Sequence, residues 1–258
     1  MIALSLIGIG TGNPDHLTRA AEAAMRAADL ILLPRKRAET AELLDLRAAI
    51  CAAVVGDAAR TAPFDVPRRD PALPYLDGVD AWHGAIAAAW CEAIARHLPG
   101  GGRVALLVWG DPSLYDSSLR IAARLGGGAM PVMVEVVPGI TSLQALAAAH
   151  AIPLTALGAP LLVTTGRRLT TKGWPGDIEM VAVMLDPGCA FERLDPAGTT
   201  IWWGAYLGMA QQSLLAGPLA ATAPAIRDER TLLRARHGWI MDCYLLRRDA
   251  ARAGASDR

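Results

Sequence analysis

The stretch Ile2-Ala3-Leu4-Ser5-Leu6-Ile7-Gly8-Ile9-Gly10-Thr11-Gly12-Asn13-Pro14-Asp15-His16-Leu17-Thr18 decides how the chain is read. Ile2–Ile9 is a short apolar run that ends among glycines, the pattern of a buried strand. Leu17–Ala28 is rich in alanine and reads as a helix, with Asp15 placed to cap it. A strand that passes through glycines into a helix brings bare backbone close to whatever binds there. The spacing is not the dinucleotide fingerprint, because Asn13 stands where the third glycine belongs, and no Gly-Lys-Ser/Thr follows to make a phosphate loop. A tight strand-to-helix turn is the plain alternative.

Outward from this segment the alternation continues. Asp29–Leu33 is a second apolar strand, stopped by Pro34, and Glu39–Val55 reads as a helix. Thr61–Gly78 carries Pro63, Pro67, Pro71 and Pro74 and has no clear period; such a stretch inside a domain is functional or mobile. Val79–His97 is helical, with Trp82, Ile86, Trp90 and Ile94 on one stripe. Val104–Trp109 and Val132–Val137 are strands, followed by helices at Ser117–Leu125 and Leu143–Ala149. Strands that are apolar throughout, alternating with helices, predict an α/β fold with a parallel sheet covered on both faces. Ala151–Pro160 holds two prolines and a glycine, which places a domain boundary there: an N-terminal α/β domain over 1–155 and a smaller C-terminal α/β domain over 156–258. The second half reads as Leu161–Thr165, Met180–Leu185, Thr200–Trp203, a helix near Met209–Leu215, and Trp239–Arg247.

Composition narrows the function. The chain has 258 residues, 53% hydrophobic and 19% charged, with 25 basic and 25 acidic side chains. At roughly 100–200 residues per domain this is one large or two small domains. Zero net charge lacks the basic footprint of a nucleic-acid binder, and no apolar run reaches the ~18 residues of a membrane span. Cys51, Cys91, Cys189 and Cys243 form no Cys-x-x-Cys pair and have no histidine at ligand spacing, so neither zinc nor a disulfide framework is expected. The N-terminus lacks a basic region and reads as a first strand, not a signal peptide, which makes a cytoplasmic location the default expectation.

Two further turns follow strands. Trp109-Gly110-Asp111-Pro112-Ser113-Leu114-Tyr115-Asp116 offers a carboxylate and an aromatic ring where open parallel sheets bind ligands; Asp-Pro is also ordinary turn chemistry. Val137-Pro138-Gly139-Ile140-Thr141-Ser142 offers free amides beside residues that cap helices well. Three such turns in one half can converge on one site. Basic groups at Arg35-Lys36-Arg37, Arg68-Arg69, Arg167-Arg168 with Lys172, and Arg247-Arg248 are each a solvated face by default. Together they suit a small ligand with many carboxylates, which arginine pairs bidentately. Trp202, Trp203 and Trp239 read as packing.

The set of turns resembles the tetrapyrrole (precorrin) methylases. The resemblance rests on Gly8, Gly10, Gly12 and Pro14 with Leu17-Thr18, on Gly110-Asp111-Pro112 with Tyr115, on Pro138-Gly139-Ile140-Thr141-Ser142, and on Ile152-Pro153-Leu154-Thr155. Phe64-Asp65-Val66-Pro67, Trp82-His83 and Gly238-Trp239-Ile240-Met241-Asp242 extend it across the chain. They are similar to the branch of that family that methylates ring carbon 1 of precorrin-5 with loss of acetate.

The resemblance implies two α/β domains with the donor, S-adenosylmethionine, in the cleft between them, and S-adenosylhomocysteine as its product. It implies a tetrapyrrole substrate, no nucleic acid or membrane partner, and a homodimer, as in relatives. Residues expected to border the donor are Pro14, Gly110, Asp111, Pro112, Leu114, Tyr115, Thr141 and Ser142, joined by Met184, Leu185, Trp203, Gly204 and Ala205. Relatives often carry a tyrosine after the second strand; Leu32-Leu33-Pro34 stands there, so no role passes to that position. Methyl transfer from a sulfonium needs position more than acid or base. Loss of acetyl needs water to add to a carbonyl, which calls for a base, with Asp15, His16, Tyr115 and Asp116 as candidates.

Overall fold

A computed structural model describes residues 1–35, 41–56, 60–125 and 131–248. The chain divides into two compact units, Met1–Thr141 and Ser142–Arg258.

The first unit runs β1 (Ile2–Gly8), α1 (Arg19–Ala27), β2 (Leu30–Arg35), α2 (Ala41–Val55), β3 (Thr61–Asp65), α3 (Tyr75–His97), β4 (Gly102–Val108), α4 (Ser118–Ala122) and β5 (Val132–Val137). The five strands form one parallel sheet in the order β3-β2-β4-β1-β5. Leu4 pairs with Val104 on one side and Val134 on the other. Both faces are covered, which is why β1 is apolar but for Ser5 and β4 is apolar from Val104 onward. Ile2, Leu4 and Leu6 join Ile86, Trp90 and Ile94 of α3 on one face. Ile7 and Ile9 join Met25 of α1 with Ile50 and Cys51 of α2 on the other. Trp90 packs edge-on against Phe64 with ring centroids 6.4 Å apart, so the stripe read in α3 is core. Neighbouring β1 and β4 thus lead into helices on opposite faces, the arrangement that leaves a crevice beyond their carboxyl ends.

Several local expectations change. Thr18, not Asp15, caps α1: its hydroxyl accepts from the Ala21 amide at 3.0 Å. Pro34 lies inside β2 and does not end it. From Leu33 onward β2 pairs only with β3, so the missing N–H faces an open edge. The proline-rich stretch begins with β3, where Pro63 is tolerated because β3 is itself an edge strand. The expected helix start at Glu39 lies outside the described residues.

The second unit holds α5 (Ser142–His150), β6 (Leu161–Thr165), α6 (Gly166–Lys172), β7 (Met180–Met184), β8 (Thr199–Ala205), β9 (Ser213–Pro218), α7 (Leu219–His237) and β10 (Asp242–Arg248). Its sheet runs β6-β7-β10-β8-β9, parallel only between β6 and β7. The helix expected near 209–215 is instead a turn and then β9, which forms a hairpin with β8. Helix α7, not anticipated, buries Leu219, Ile226 and Leu233 against Trp203 and Tyr244. The compact unit starts at Ser142 and not near residue 156, because α5 packs on β10 and β8 of the second sheet. Among the described residues no helix is long and apolar enough to cross a membrane.

Candidate functional site

Strand β1 sits between β4 and β5, so the turns that leave these three strands are neighbours by construction. They meet through backbone. The Gly110 amide donates to the Gly10 carbonyl at 2.7 Å, and the Gly10 amide returns a bond to the Gly110 carbonyl at 3.3 Å. A Cβ on Gly8 would lie 2.6 Å from the Gly139 nitrogen and 2.7 Å from the Gly110 oxygen. One on Gly139 would collide with the same carbonyl. All three turns therefore share a junction that has room only for main chain.

Asp111 locks that junction. One carboxylate oxygen accepts from the Ser113 amide and hydroxyl, and the other accepts from the Gly139 amide at 2.9 Å. Burial alone would push the Asp111 carboxyl up. The Ser113 hydroxyl, the Gly139 amide and the Ser113 amide together outweigh it and hold the group below its usual range. Asp111 is thus a clamp between turns, with its oxygens directed at protein donors.

The other expected residues of this unit are distributed around the clamp. Gly110 has φ +63° and its missing Cβ would approach the Thr141 Cα at 3.9 Å. Pro112 is buried and Leu114 half-buried. Tyr115 is exposed and held at φ +51°, a left-handed conformation that costs an L-residue about 1–2 kcal/mol. Strain of this kind concentrates where function fixes a side chain. Asp116 accepts from the Ser118 amide at 2.6 Å, which commits one of its oxygens. Pro14 and Asp15 are exposed on a short 3-10 turn, Pro14–His16, that Asn13 caps through its side chain. His16 is half-buried, with Nδ1 2.9 Å from the Thr11 hydroxyl.

Arg47 escaped the sequence reading. It is buried on α2, donates to the Leu107 carbonyl at 3.3 Å, and lies 5.1 Å over the Trp109 ring. Burial pulls its guanidinium down to about 10, opposed by Asp116. A lone arginine in the apolar run Ala48–Val55 and its preceding turn was the available signal. Of the basic groups at the carboxyl edge of this sheet, Arg35 pairs with Asp65 at 2.6 and 2.9 Å and Arg69 lies over Tyr75. Lys36 and Arg37 lie outside the described residues.

In the second unit, Ser142 opens α5. Met184 ends β7, and Leu185 follows it exposed at φ +52°. Asp186 fixes that corner. Its carboxylate accepts from the Gly188 and Ala190 amides and from the Tyr244 hydroxyl at 2.7 Å. Its carbonyl accepts from buried Arg230, which also makes a bidentate pair with Asp242. Desolvation alone would lower the Arg230 pKa; Asp242 more than offsets it and keeps the guanidinium charged. Trp203 is entirely buried: its indole donates to Asp242 at 2.8 Å, and its carbonyl contacts His150 Nε2 at 3.0 Å. Trp203 therefore shapes a strand end and presents no free side-chain surface. Ala205 is equally buried, and Gly204 has Leu146, Leu207 and Leu214 where a Cβ would go.

The sequence matches the family described as Tetrapyrrole (Corrin/Porphyrin) Methylases over residues 3–223. It is 43% identical over 253 residues to a protein of Sinorhizobium sp named Precorrin-6A synthase [deacetylating], covering 97% of each chain. The fold superposes on a crystal structure of a cobalamin synthesis related protein from Corynebacterium diphtheriae with a TM-score of 0.82 and 35% identity, over 96% of this chain and 99% of that one. A uroporphyrin-III C-methyl transferase from Thermus thermophilus, crystallised with S-adenyl homocysteine, shares the fold at a TM-score of 0.58 and 20% identity, over 97% of this chain and 99% of that one. The glycine junction beyond β1, β4 and β5 and the mixed second sheet lie within a match that runs nearly end to end, and the chain belongs to the tetrapyrrole methylases.

Proposed function

We propose that this chain is an S-adenosylmethionine-dependent C-methyltransferase that methylates ring carbon 1 of precorrin-5 and releases acetate, giving precorrin-6A. The observation that carries the reading is the junction of Gly8, Gly110 and Gly139, a main-chain surface at the carboxyl edge of a parallel sheet. Likeness across 97% of the chain to a protein named for that reaction supports the choice of substrate.

The residues fit a methyl donor. The turns that meet at the junction bring main chain with few side chains to the carboxyl edge of the sheet, which suits close approach by a nucleoside and an amino acid. Pro14, Gly110, Asp111, Pro112, Leu114, Tyr115 and Thr141 of the first unit would hold it. Bound S-adenosylmethionine supplies a methyl group on a sulfonium, an electrophile that is already activated. The protein's work is then to orient the macrocycle and to keep water from the methyl. Arg68 and Arg69, exposed beyond β3 on the same sheet edge, are suited to the carboxylates of the substrate arms. Arg35 would have to leave Asp65 to do the same.

Self-association belongs to this reading. Strand β5 is a sheet edge on which Met133, Val134 and Val136 are exposed on both faces, although a parallel strand ordinarily needs cover on each. A second copy would supply that cover through a two-fold axis. Sedimentation should find a dimer, and Met133→Lys with Val136→Lys should give monomers.

The decisive test is incubation of the purified chain with precorrin-5 and S-adenosylmethionine. Methyl incorporation with equimolar acetate supports the reading. Methylation without acetate points to another precorrin methylase, and binding of NADH in place of the methyl donor points to a nucleotide-binding module.

A further inference from the structure

We infer that His16, oriented by Thr11, is the base that drives loss of the acetyl group; the inference rests on the function proposed above. Release of acetate is a hydrolysis. Water must add to a ketone carbonyl, and a neutral water at neutral pH does this poorly without a group to take its proton.

Four side chains around the first turns carry the required chemistry, and their surroundings separate them. One oxygen of the Asp116 carboxylate accepts from the Ser118 amide, and the Asp116 carbonyl accepts from Arg120. Asp15 is exposed, and only its amide is engaged, with Asn13. Tyr115 is a weak base as a neutral phenol and serves better as a donor to a developing oxyanion. His16 is the one that the fold seats and orients. Gly10, at φ +72°, has no room for a side chain because the His16 Cβ occupies that place, 2.8 Å from where a Gly10 Cβ would be. The same Gly10 is bonded to Gly110, so His16 sits over the bridge that ties the first turn to the turn of Asp111 and Tyr115. The buried Thr11 hydroxyl lies 2.9 Å from Nδ1. The Thr11 oxygen can accept from Nδ1–H, and in that tautomer Nε2 carries the lone pair that a base needs.

The step balances without further reagents. Nε2 takes a proton from water as the water oxygen bonds to the acetyl carbonyl carbon. The tetrahedral adduct collapses, the bond between that carbon and the macrocycle breaks, and its electron pair passes into the conjugated ring. Acetic acid leaves and ionises to acetate, the ring's electron pair is taken up at carbon 1 in bonding the transferred methyl group, and the histidine returns its proton to solvent. Thr11 is a positioning residue; His16 is the catalytic one.

The test uses the full chain with precorrin-5 labelled in the acetyl group. His16→Asn and His16→Ala should lower the rate of acetate release at least 100-fold while calorimetric affinity for S-adenosylmethionine stays within about threefold. Added imidazole should restore part of the rate to His16→Ala. Thr11→Val should lower acetate release about tenfold, and Thr11→Ser should keep it. Acetate release within threefold of the parent in both His16 variants overturns the assignment. So does a loss that imidazole leaves unrestored and that donor affinity follows in parallel. If the unaltered chain releases no acetate from precorrin-5, the underlying function fails and the base falls with it.

Discussion

Asp111 accepts a hydrogen bond from the amide of Gly139, 2.9 Å away, so the turn after β4 holds the turn after β5 in place. The two residues are 28 apart in sequence and belong to strands that do not pair with each other; β1 lies between them. The carboxylate spans the carboxyl end of β1, where Gly8 leaves no side chain in the way. Asp111→Ala strands the Gly139 amide and both Ser113 donors. The expected cost is about 1–3 kcal/mol of stability, together with a loss of S-adenosylmethionine affinity of tenfold or more. Calorimetry measures the second quantity, and unchanged affinity would remove Asp111 from the donor site.

Gly8→Ala tests the junction from its other side. The added methyl meets backbone at 2.6 and 2.7 Å, which cannot rotate away as a side chain would. Overpacking of this kind costs about 1–3 kcal/mol, or a few degrees in Tm for a chain of this size, and should abolish donor binding. Gly100→Ala, which meets open space, should change neither. Equal effects of the two substitutions would sink the steric argument.

Arg230 and Asp242 form a pair with side chains only 10% and 5% exposed. Asp242→Ala leaves a buried guanidinium without its counter-charge and the Trp203 indole without its acceptor. The expected loss is about 3–5 kcal/mol, whereas Arg230→Met with Asp242→Leu should lose clearly less than the two single changes summed. Urea unfolding of the four proteins closes the cycle; strict additivity would mean that the pair is not coupled.

His83 gives a pH dependence. It is buried on α3, its Nε2 has no hydrogen-bond partner among the described residues, and its pKa is lowered by burial first and by Arg124 and Arg120 next, with Asp80 opposing. The folded chain therefore binds this proton less readily than the unfolded chain does. Stability from the neutral ring is complete above the unfolded value of about 6.5 and declines as pH falls toward the folded one. His83→Phe should flatten the fall of denaturant midpoints as pH drops below about 6.5; an unchanged slope would mean that His83 titrates alike in both states.

The first half of the chain was legible because each of its signals is local. Uninterrupted apolar strands require cover on both faces, and glycine after a strand marks a turn, so β1, β4, β5 and the three turns could be read directly. The convergence of the turns depended on β1 lying between β4 and β5, which no local pattern states. Strand β3 was hidden because proline argues against strands except at an edge, and edge position is a property of the finished sheet. The same holds for Pro34. In the second half, α7 is marked by charge and not by a clean apolar stripe, and Met209–Leu215 reads as helix although it is a turn running into β9, because a short apolar run has no decisive period. Among site residues, Asp111 was found for its turn but its partner Gly139 was not foreseen. Arg47, Asp186 and Arg230 were passed over because a buried charge is recognisable only once its neighbours are known.

The strand order carries a consequence for synthesis. Strand β1 is made before both of its partners and waits for them until residues 102–108 and 132–137 have followed it. Until then it is an unpaired ribbon of Ile, Leu and Ser, and the cradle at Gly8 has neither Gly110 nor Gly139 to complete it. Any nascent fragment that stops short of Gly139 should be unable to capture a small molecule there, and the first unit should acquire its recognition surface in a single late event.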